Sequence, residues 1–189
     1  MRIISGSFRG KKILIPKDKK TRPLKDLTKE SIFNIIEHSN KFKIDLNNSN
    51  ILDLFSGVGS FGIECLSRGV KKVIFVENYS GVLPILKKNL LNLELNNEYE
   101  IFENDIYDNN FLSNFNRKFD IIFLDPPFKD KNIQHLLLKI KNLKLLNENG
   151  IIILHRHKSE NDDFSNICKI IEQKKYGISK ISFLSLENK

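Results

Sequence analysis

A chain of 189 residues, 40% hydrophobic, with 31 Lys/Arg against 23 Asp/Glu, carries enough apolar material for one sizeable core. No apolar run approaches the roughly 18 residues of a membrane span, and the opening MRIISGSFRGKK lacks the apolar centre of a signal peptide, so a cytoplasmic protein without a membrane is expected. Cys65 and Cys168 form no CxxC pair, so neither a zinc ribbon nor a disulfide framework is indicated and both read as small core residues.

The charge is uneven along the chain. Residues 1–29 hold ten of the basic residues against Asp18 and Asp26, which leaves 21 of each sign in the remainder. An excess confined to one end is the footprint of a polyanion-binding arm rather than of a generally basic protein. Within it, RIISGSFRGKKILIP alternates apolar and polar residues about a glycine-containing turn and predicts a hairpin. PLKDLTKESIFNIIEH follows, with Leu27, Ile32, Ile35 and Ile36 at helical spacing and Asp26 and Thr28 as candidate caps. SNKFKIDLNNSN reads as a polar linker. A regular alternation then begins. NILDLF is a strand, GSFGIECLSRG a helix closed by Gly69, KKVIFVE a strand, and VLPILKKNLLNLEL a helix that tolerates Pro84 near its start. YEIFEND and FDIIFLD are strands, IQHLLLKIKNL a helix and GIIILH a strand; two last strands flank Gly177 and must be antiparallel. Strands alternating with helices imply a parallel sheet covered on both faces.

Chemistry concentrates at the ends of these strands. LDLFSGVGSFG places Gly57, Gly59 and Gly62 in GxGxxG spacing, which alone fits dinucleotides and other adenosyl cofactors equally. Glu77, about 20 residues on, suits ribose hydroxyls in either class. Asp53 separates the two, because a carboxylate beside this turn repels a pyrophosphate but suits the ammonium and sulfonium of S-adenosylmethionine. Asp105 and Asp125 end two further strands. Four acids on one edge, none with a basic residue in its own motif, need a cation or hydrogen-bond donors in the cleft. A magnesium site is the alternative, but no DxD cluster supports it.

DIIFLDPPF closes a buried strand on Asp125, Pro126, Pro127 and Phe128. The prolines stop the ladder and leave the Pro126 carbonyl without a local donor. A flat base against Phe128 could present an exocyclic amino group to two acceptors, Asp125 and the Pro126 carbonyl. Together they would turn the nitrogen lone pair toward a methyl donor and stabilise the positive charge that develops during in-line attack.

The ordered motifs LDLFSGVGSFGIECLSRG, FVEN and DIIFLDPPF resemble class I S-adenosylmethionine-dependent methyltransferases that act on amino groups, with DPPF as their (N/D)PP(Y/F) motif. With the opening RIISGSFRGKKI, the TRPLKD and KESIFNII segments containing Arg22, Pro23, Glu30 and Phe33, and the closing KKYGISKISFL, nearly the whole chain is similar to the bacterial 16S ribosomal RNA guanine-N2 methyltransferase D family. That resemblance implies an α/β, Rossmann-like fold. Its sheet would have seven mostly parallel strands and a C-terminal antiparallel hairpin, with an N-terminal β-hairpin plus helix as extension. It implies an RNA-binding extension over residues 1–40 and a methyltransferase domain over 41–189, a monomer acting on small-subunit ribosomal RNA, free or within an assembling 30S particle. The expected cofactor set is Asp53, Phe55, Gly57, Gly59, Glu77, Asn78, Asn104 and Asp105. Of these, Asp53, Gly57 and Gly59 line the methionine side, Glu77 the ribose and Asp105 the adenine edge. Asp125 to Phe128 position the base, and Arg2, Arg9, Lys11, Lys12, Lys19, Lys20 and Arg22 contact RNA. One departure stands out: where the family often has an acid after the fifth strand, this chain has His155, Arg156 and His157, and the two histidines, without a third ligand, read as surface or RNA-contacting residues rather than a metal site. The motif by itself equally permits adenine N6 or a glutamine amide as the acceptor, and the fold permits a noncatalytic RNA-binding assembly factor.

Overall fold

The apolar runs after residue 50 assemble into one seven-stranded sheet. The computed structural model describes residues 1–17, 24–95, 97–108 and 110–186. Helix α1 (Asp26–His38) leads through a 3-10 turn at Leu46–Asn48 into β1 (Asn50–Leu54), α2 (Ser60–Ser67), β2 (Lys72–Val76), α3 (Leu83–Leu91), β3 (Tyr99–Phe102), β4 (Phe119–Leu124), α4 (Ile133–Asn142), β5 (Leu146–His157), β6 (Lys169–Tyr176) and β7 (Ser179–Ser185). The strand order is β3-β2-β1-β4-β5-β7-β6. The first five neighbours are parallel, and β7 lies antiparallel to both β5 and β6. The doubly wound sheet and terminal hairpin are those expected. The chain turns outward in opposite directions from β1 and β4, which opens a crevice at their carboxyl ends.

Period-two alternation divides each central strand between two cores. Ile51, Val73, Phe75, Phe123, Ile153 and Phe183 pack with α1, α2 and α3 on one face, while Leu52, Ile74, Ile122, Ile152 and Leu184 pack with α4 on the other. The first core contains a ring stack. Phe61 of α2 lies 4.0 Å from Phe123 and 5.4 Å from Phe33, centroid to centroid. Gly62 keeps α2 this close to the sheet, since a Cβ there would sit 2.3 Å from the Phe75 ring.

Three local expectations change. Leu27 is 68% exposed, and α1 buries Thr28, Lys29, Ile32, Phe33 and Ile36 instead, because Leu24 just before the helix takes the core position. Lys25 occupies the cap position and no side chain caps the helix. The polar linker is anchored in the core: Phe42 is buried, with its ring 5.3 Å from Phe183.

The N-terminal hairpin forms as expected: Arg2 bridges Lys12, and backbone bonds from Ile3 N to Lys11 O (3.0 Å), Gly10 N to Ile3 O (2.9 Å) and Ile13 N to Met1 O (3.1 Å) join its limbs. Side chains of the helices dock it on the body. Glu64 of α2 accepts from Ile4 N (2.8 Å) and Ser5 N (2.9 Å), Ser67 binds Phe8 N, and Asn89 of α3 binds both Leu14 N and Leu14 O. Glu64 is fully buried and meets Lys29 Nζ at 3.3 Å and Arg68 Nε at 3.1 Å, while Lys29 donates to the Arg2 carbonyl. Burial pushes the Lys29 amine down from its usual value despite the Glu64 carboxylate. Ile3 and Ile13 join the same core as α1 to α3, so the arm is built into the body it precedes. No helix among the described residues is long and apolar enough to cross a membrane.

Candidate active site

A cleft of about 980 Å³ opens at the carboxyl ends of β1 and β4, lined from every one of the expected strand ends. Its floor is the Phe61–Phe123 stack, and Leu24 and Lys25 at the start of α1 form part of its wall.

One half of the cleft is built from backbone donors. Asp53 is 1% exposed; its Oδ2 accepts from Gly62 N at 3.0 Å, and its Oδ1 is buried with no partner among the described residues. Burial holds this carboxyl well above the usual carboxylate range against the pull of the Gly62 amide, with Asp125 and Glu77 adding repulsion. Glu77 is satisfied by three amides: Gly57 N reaches Oε2 at 2.7 Å, and Asn78 N and Tyr79 N reach Oε1 at 2.9 and 2.8 Å. Ser56 ties the turn to β2: its backbone N donates to the Val76 carbonyl and its Oγ accepts from Val76 N, while the hydroxyl donates to the Asp53 carbonyl.

Phe55 lines the cleft with φ of 62°, a left-handed conformation that costs a phenylalanine about 1–3 kcal/mol and clusters at functional sites. Its ring lies 6.1 Å from that of Tyr107, whose hydroxyl donates to Asp130 Oδ2 at 2.7 Å. Burial and the Asp130 carboxylate push the Tyr107 phenol far up, so it stays a donor. Asp105 is at the cleft edge, where it accepts from Tyr107 N. Asn78 lines the wall; Gly59 and Asn104 do not. Gly59 serves the turn instead, with φ of 82° at the start of α2 and no room for a Cβ beside Leu86.

The other half is built from side chains of β5 and β7. Asp125 Oδ1 lies 2.8 Å from His155 Nδ1, and His155 Nε2 lies 2.8 Å from Ser179 Oγ. Among the described residues no hydrogen bond reaches Asp125 Oδ2 or the Pro126 carbonyl, and both residues line the cleft. The Phe128 ring meets those of His155 and His157 edge-on, at 5.8 and 5.2 Å. Arg156 is 2% exposed and points to the opposite sheet face. It pairs with Asp162 at 3.0 Å and donates to the carbonyls of Asp130 (2.9 Å) and Pro127 (3.4 Å), which fixes the DPPFKD loop from beneath.

His155 is thus buried, against the expectation of a surface residue, and so is its neighbour Arg156. Sequence spacing shows no partner for either, because Asp125 and His155 are 30 residues apart and meet only through the β4–β5 register. The signal was present in part, since His155 lies near a strand end as the four acids do. Nor do those acids lack donors: amides hold Asp53 and Glu77, and imidazole holds Asp125. No group of three His, Cys, Asp or Glu among the described residues is arranged to hold a metal ion.

Arg2, Arg9, Lys11 and Lys12 are exposed, and Lys19, Lys20 and Arg22 lie outside the described residues. The arm runs along α2, from Met1 beside Ser60 at the cleft end to Ser7 at Ser67, and back to Leu14 at Asn89. The charge of Arg2, Arg9, Lys11 and Lys12 is spread over that length, about 10 Å, while Lys25 lines the cleft.

Residues 1–185 match the family described as conserved hypothetical protein 95. A Bacillus subtilis (strain 168) protein, named as a candidate rRNA methyltransferase YlbH, is 34% identical over 185 residues, 96% of this chain and 97% of its own. The ribosomal RNA small subunit methyltransferase D of Haemophilus influenzae is 37% identical over 153 residues, 79% of this chain and 72% of that protein. A crystal structure of a candidate methylase from H. influenzae superposes with a TM-score of 0.75 at 31% identity, covering 98% of both chains. The glycine turn, the DPPF stop and the full-length match agree, and the chain belongs to the ribosomal RNA small subunit methyltransferase D family of methyltransferases.

Proposed function

We propose that this protein transfers a methyl group from S-adenosylmethionine to the exocyclic N2 of one guanine in small-subunit (16S) ribosomal RNA. One observation carries the reading: Asp125 Oδ2 and the Pro126 carbonyl are two open acceptors beside the Phe128 ring, facing the same cleft as a buried, unpartnered carboxylate oxygen on Asp53. The names of the relatives support the RNA target.

The residues present fit the cofactor. Asp53 Oδ1 needs a donor that the described residues do not provide, and an ammonium group satisfies it, which also draws Asp53 into its ionised form. Glu77 retains lone pairs for ribose hydroxyls beyond its three amide bonds. Asp105, Ile106 and Tyr107 offer the adenine an edge and an apolar wall. When bound, the cofactor supplies an electrophilic methyl group: the N–CH3 bond forms as the S–CH3 bond breaks, and that bond's electron pair stays on sulfur.

The protein's own part is orientation. Phe128 stacks the base; Asp125 Oδ2 and the Pro126 carbonyl accept the two amino N–H bonds, favouring a pyramidal nitrogen with its lone pair aimed inward. As positive charge grows on nitrogen, both acceptors strengthen, and the surplus proton leaves to Asp125 or to water. The exposed Arg2, Arg9, Lys11 and Lys12 would contact backbone phosphates, which attract RNA without selecting a nucleotide. The N-terminal 40 residues act as the RNA-binding extension, and residues 41–189 as the catalytic domain of a monomer, on free rRNA or an assembling 30S particle.

Methyl transfer from labelled cofactor to unmodified small-subunit rRNA, free and in its particle, followed by nucleoside analysis, tests this. Label in N2-methylguanosine is expected; label in N6-methyladenosine, or in glutamine of a protein control, overturns the target.

A further inference from the structure

His155 is held on two sides. Asp125 follows β4, His155 lies two residues before the end of β5 and Ser179 opens β7, so a chain of hydrogen bonds crosses three neighbouring strands: Asp125 Oδ1, His155, Ser179 Oγ, each step 2.8 Å. The imidazole is 8% exposed, with the Phe128 ring against it edge-on. An ionised carboxylate only accepts, so Nδ1 carries the ring proton and donates to Asp125, and Nε2 accepts the Ser179 hydroxyl.

We propose, on the methyl-transfer reading, that His155 is the positioning residue of Asp125: it locks Oδ1, so that Oδ2 alone is offered to the substrate amino group, and Ser179 on the C-terminal hairpin fixes the tautomer that does so. The torsion of a carboxylate about its last bond is broad and two-fold, so an untethered Asp125 would present either oxygen at a range of angles. It also shares the cleft with Asp53 and Glu77, whose negative charge would turn it away from the reacting position. A neutral donor 2.8 Å away removes this freedom without adding a further carboxylate to the cleft, which an acid at residue 155 would do. The terminal hairpin thereby takes part in the chemistry through Ser179.

Single-turnover methyl transfer, read beside cofactor and RNA dissociation constants, tests the role. His155→Leu is expected to slow the chemical step about 10- to 100-fold, with both dissociation constants within about two-fold. His155→Asn is expected to recover most of the rate, because its amide nitrogen can stand where Nδ1 stands. Ser179→Ala is expected to cost about three- to ten-fold in the wild-type background and nothing further in His155→Leu. Nitrogen-15 spectra of the free protein report the tautomer without reference to activity, and a proton on Nδ1 is expected. A His155→Leu protein that turns over at the wild-type rate, additive losses in the double variant, or a proton on Nε2 overturns the role. If His155→Leu does not fold, His155→Asn combined with Ser179→Ala gives the same comparison: additive losses overturn the proposal, and a Ser179→Ala effect that vanishes in the His155→Asn background supports it. Wild-type protein that methylates no acceptor removes the methyl-transfer reading and this role together, whereas a fully active His155→Leu removes this role alone.

Discussion

The two halves of the cleft are held by different means. On the Asp53 side each carboxylate is gripped by backbone amides that lie within 20 residues of it in sequence, from Gly57, Gly62, Asn78 and Tyr79. On the Asp125 side the grip comes from side chains distant along the chain: His155 lies 30 residues from Asp125, Arg156 29 from Pro127, and Ser179 a further 24 beyond His155, all brought in by the β4–β5–β7 register. Backbone donors are fixed by the turn whatever its side chains are, so that half suits a constant ligand. Side-chain donors change with a single substitution, so the other half can be retuned without disturbing the cofactor.

Both halves stand on the Phe61–Phe123 stack, and its loss has the largest effect. Phe61→Ala is expected to cost about 3–5 kcal/mol of stability, measured by urea unfolding, and to impair both halves at once; an unchanged midpoint would remove the shared floor. The halves then separate in a crossed pattern. Asp125→Asn should lower the single-turnover rate about 100- to 1000-fold with unchanged cofactor affinity. Asp53→Asn should weaken the cofactor by about 10- to 100-fold, as for a lost hydrogen bond to a charged group, and leave the rate at saturation within a few-fold. If the two substitutions moved the same parameter, the division would fail.

The pH dependence sharpens the contrast further. The buried Asp53 carboxyl titrates above the usual carboxylate range. Between that range and its own titration, the folded chain holds a proton that the unfolded chain has released. The free protein therefore loses stability as pH rises through this window, while a ligand ammonium that needs the ionised form binds more tightly across it and expels the proton. Calorimetry of cofactor binding in buffers of different ionisation enthalpy should show proton release in the wild type and none in Asp53→Asn. The smallest effect belongs outside the cleft. Replacing Arg9, Lys11 and Lys12 one at a time by alanine should each lower the slope of log affinity for RNA against log salt by roughly one or less, with cofactor binding untouched. Point changes are the right instrument here. Deleting the arm would strip Ile3 and Ile13 from the core and the Ile4 and Ser5 amides from Glu64.

What could be seen in the sequence follows the same divide. The sheet, its terminal hairpin and the Gly57, Asp53 and Glu77 constellation rest on local spacing, and local spacing is written in the chain. Phe42 was hidden in a polar stretch because a single aromatic has no period. Helical spacing points Leu27 to the core because spacing alone does not show that Leu24 already fills its place. Lys29 and Glu64 are buried charges that neutralise each other across 35 residues, a pairing invisible before the helices dock. His155 reads as exposed because an HxH pair without a third ligand usually sits at a surface; its partners, Asp125 and Ser179, lie at the ends of other strands that only the fold brings near.

The central claim is that this cleft aims an amino group of guanine at a methyl donor, and nucleoside analysis of small-subunit rRNA after incubation with labelled S-adenosylmethionine tests it most directly. The account predicts label in N2-methylguanosine at one position, abolished by Asp125→Ala. Label in another nucleoside, or in N2-methylguanosine at an undiminished rate in Asp125→Ala, would contradict it.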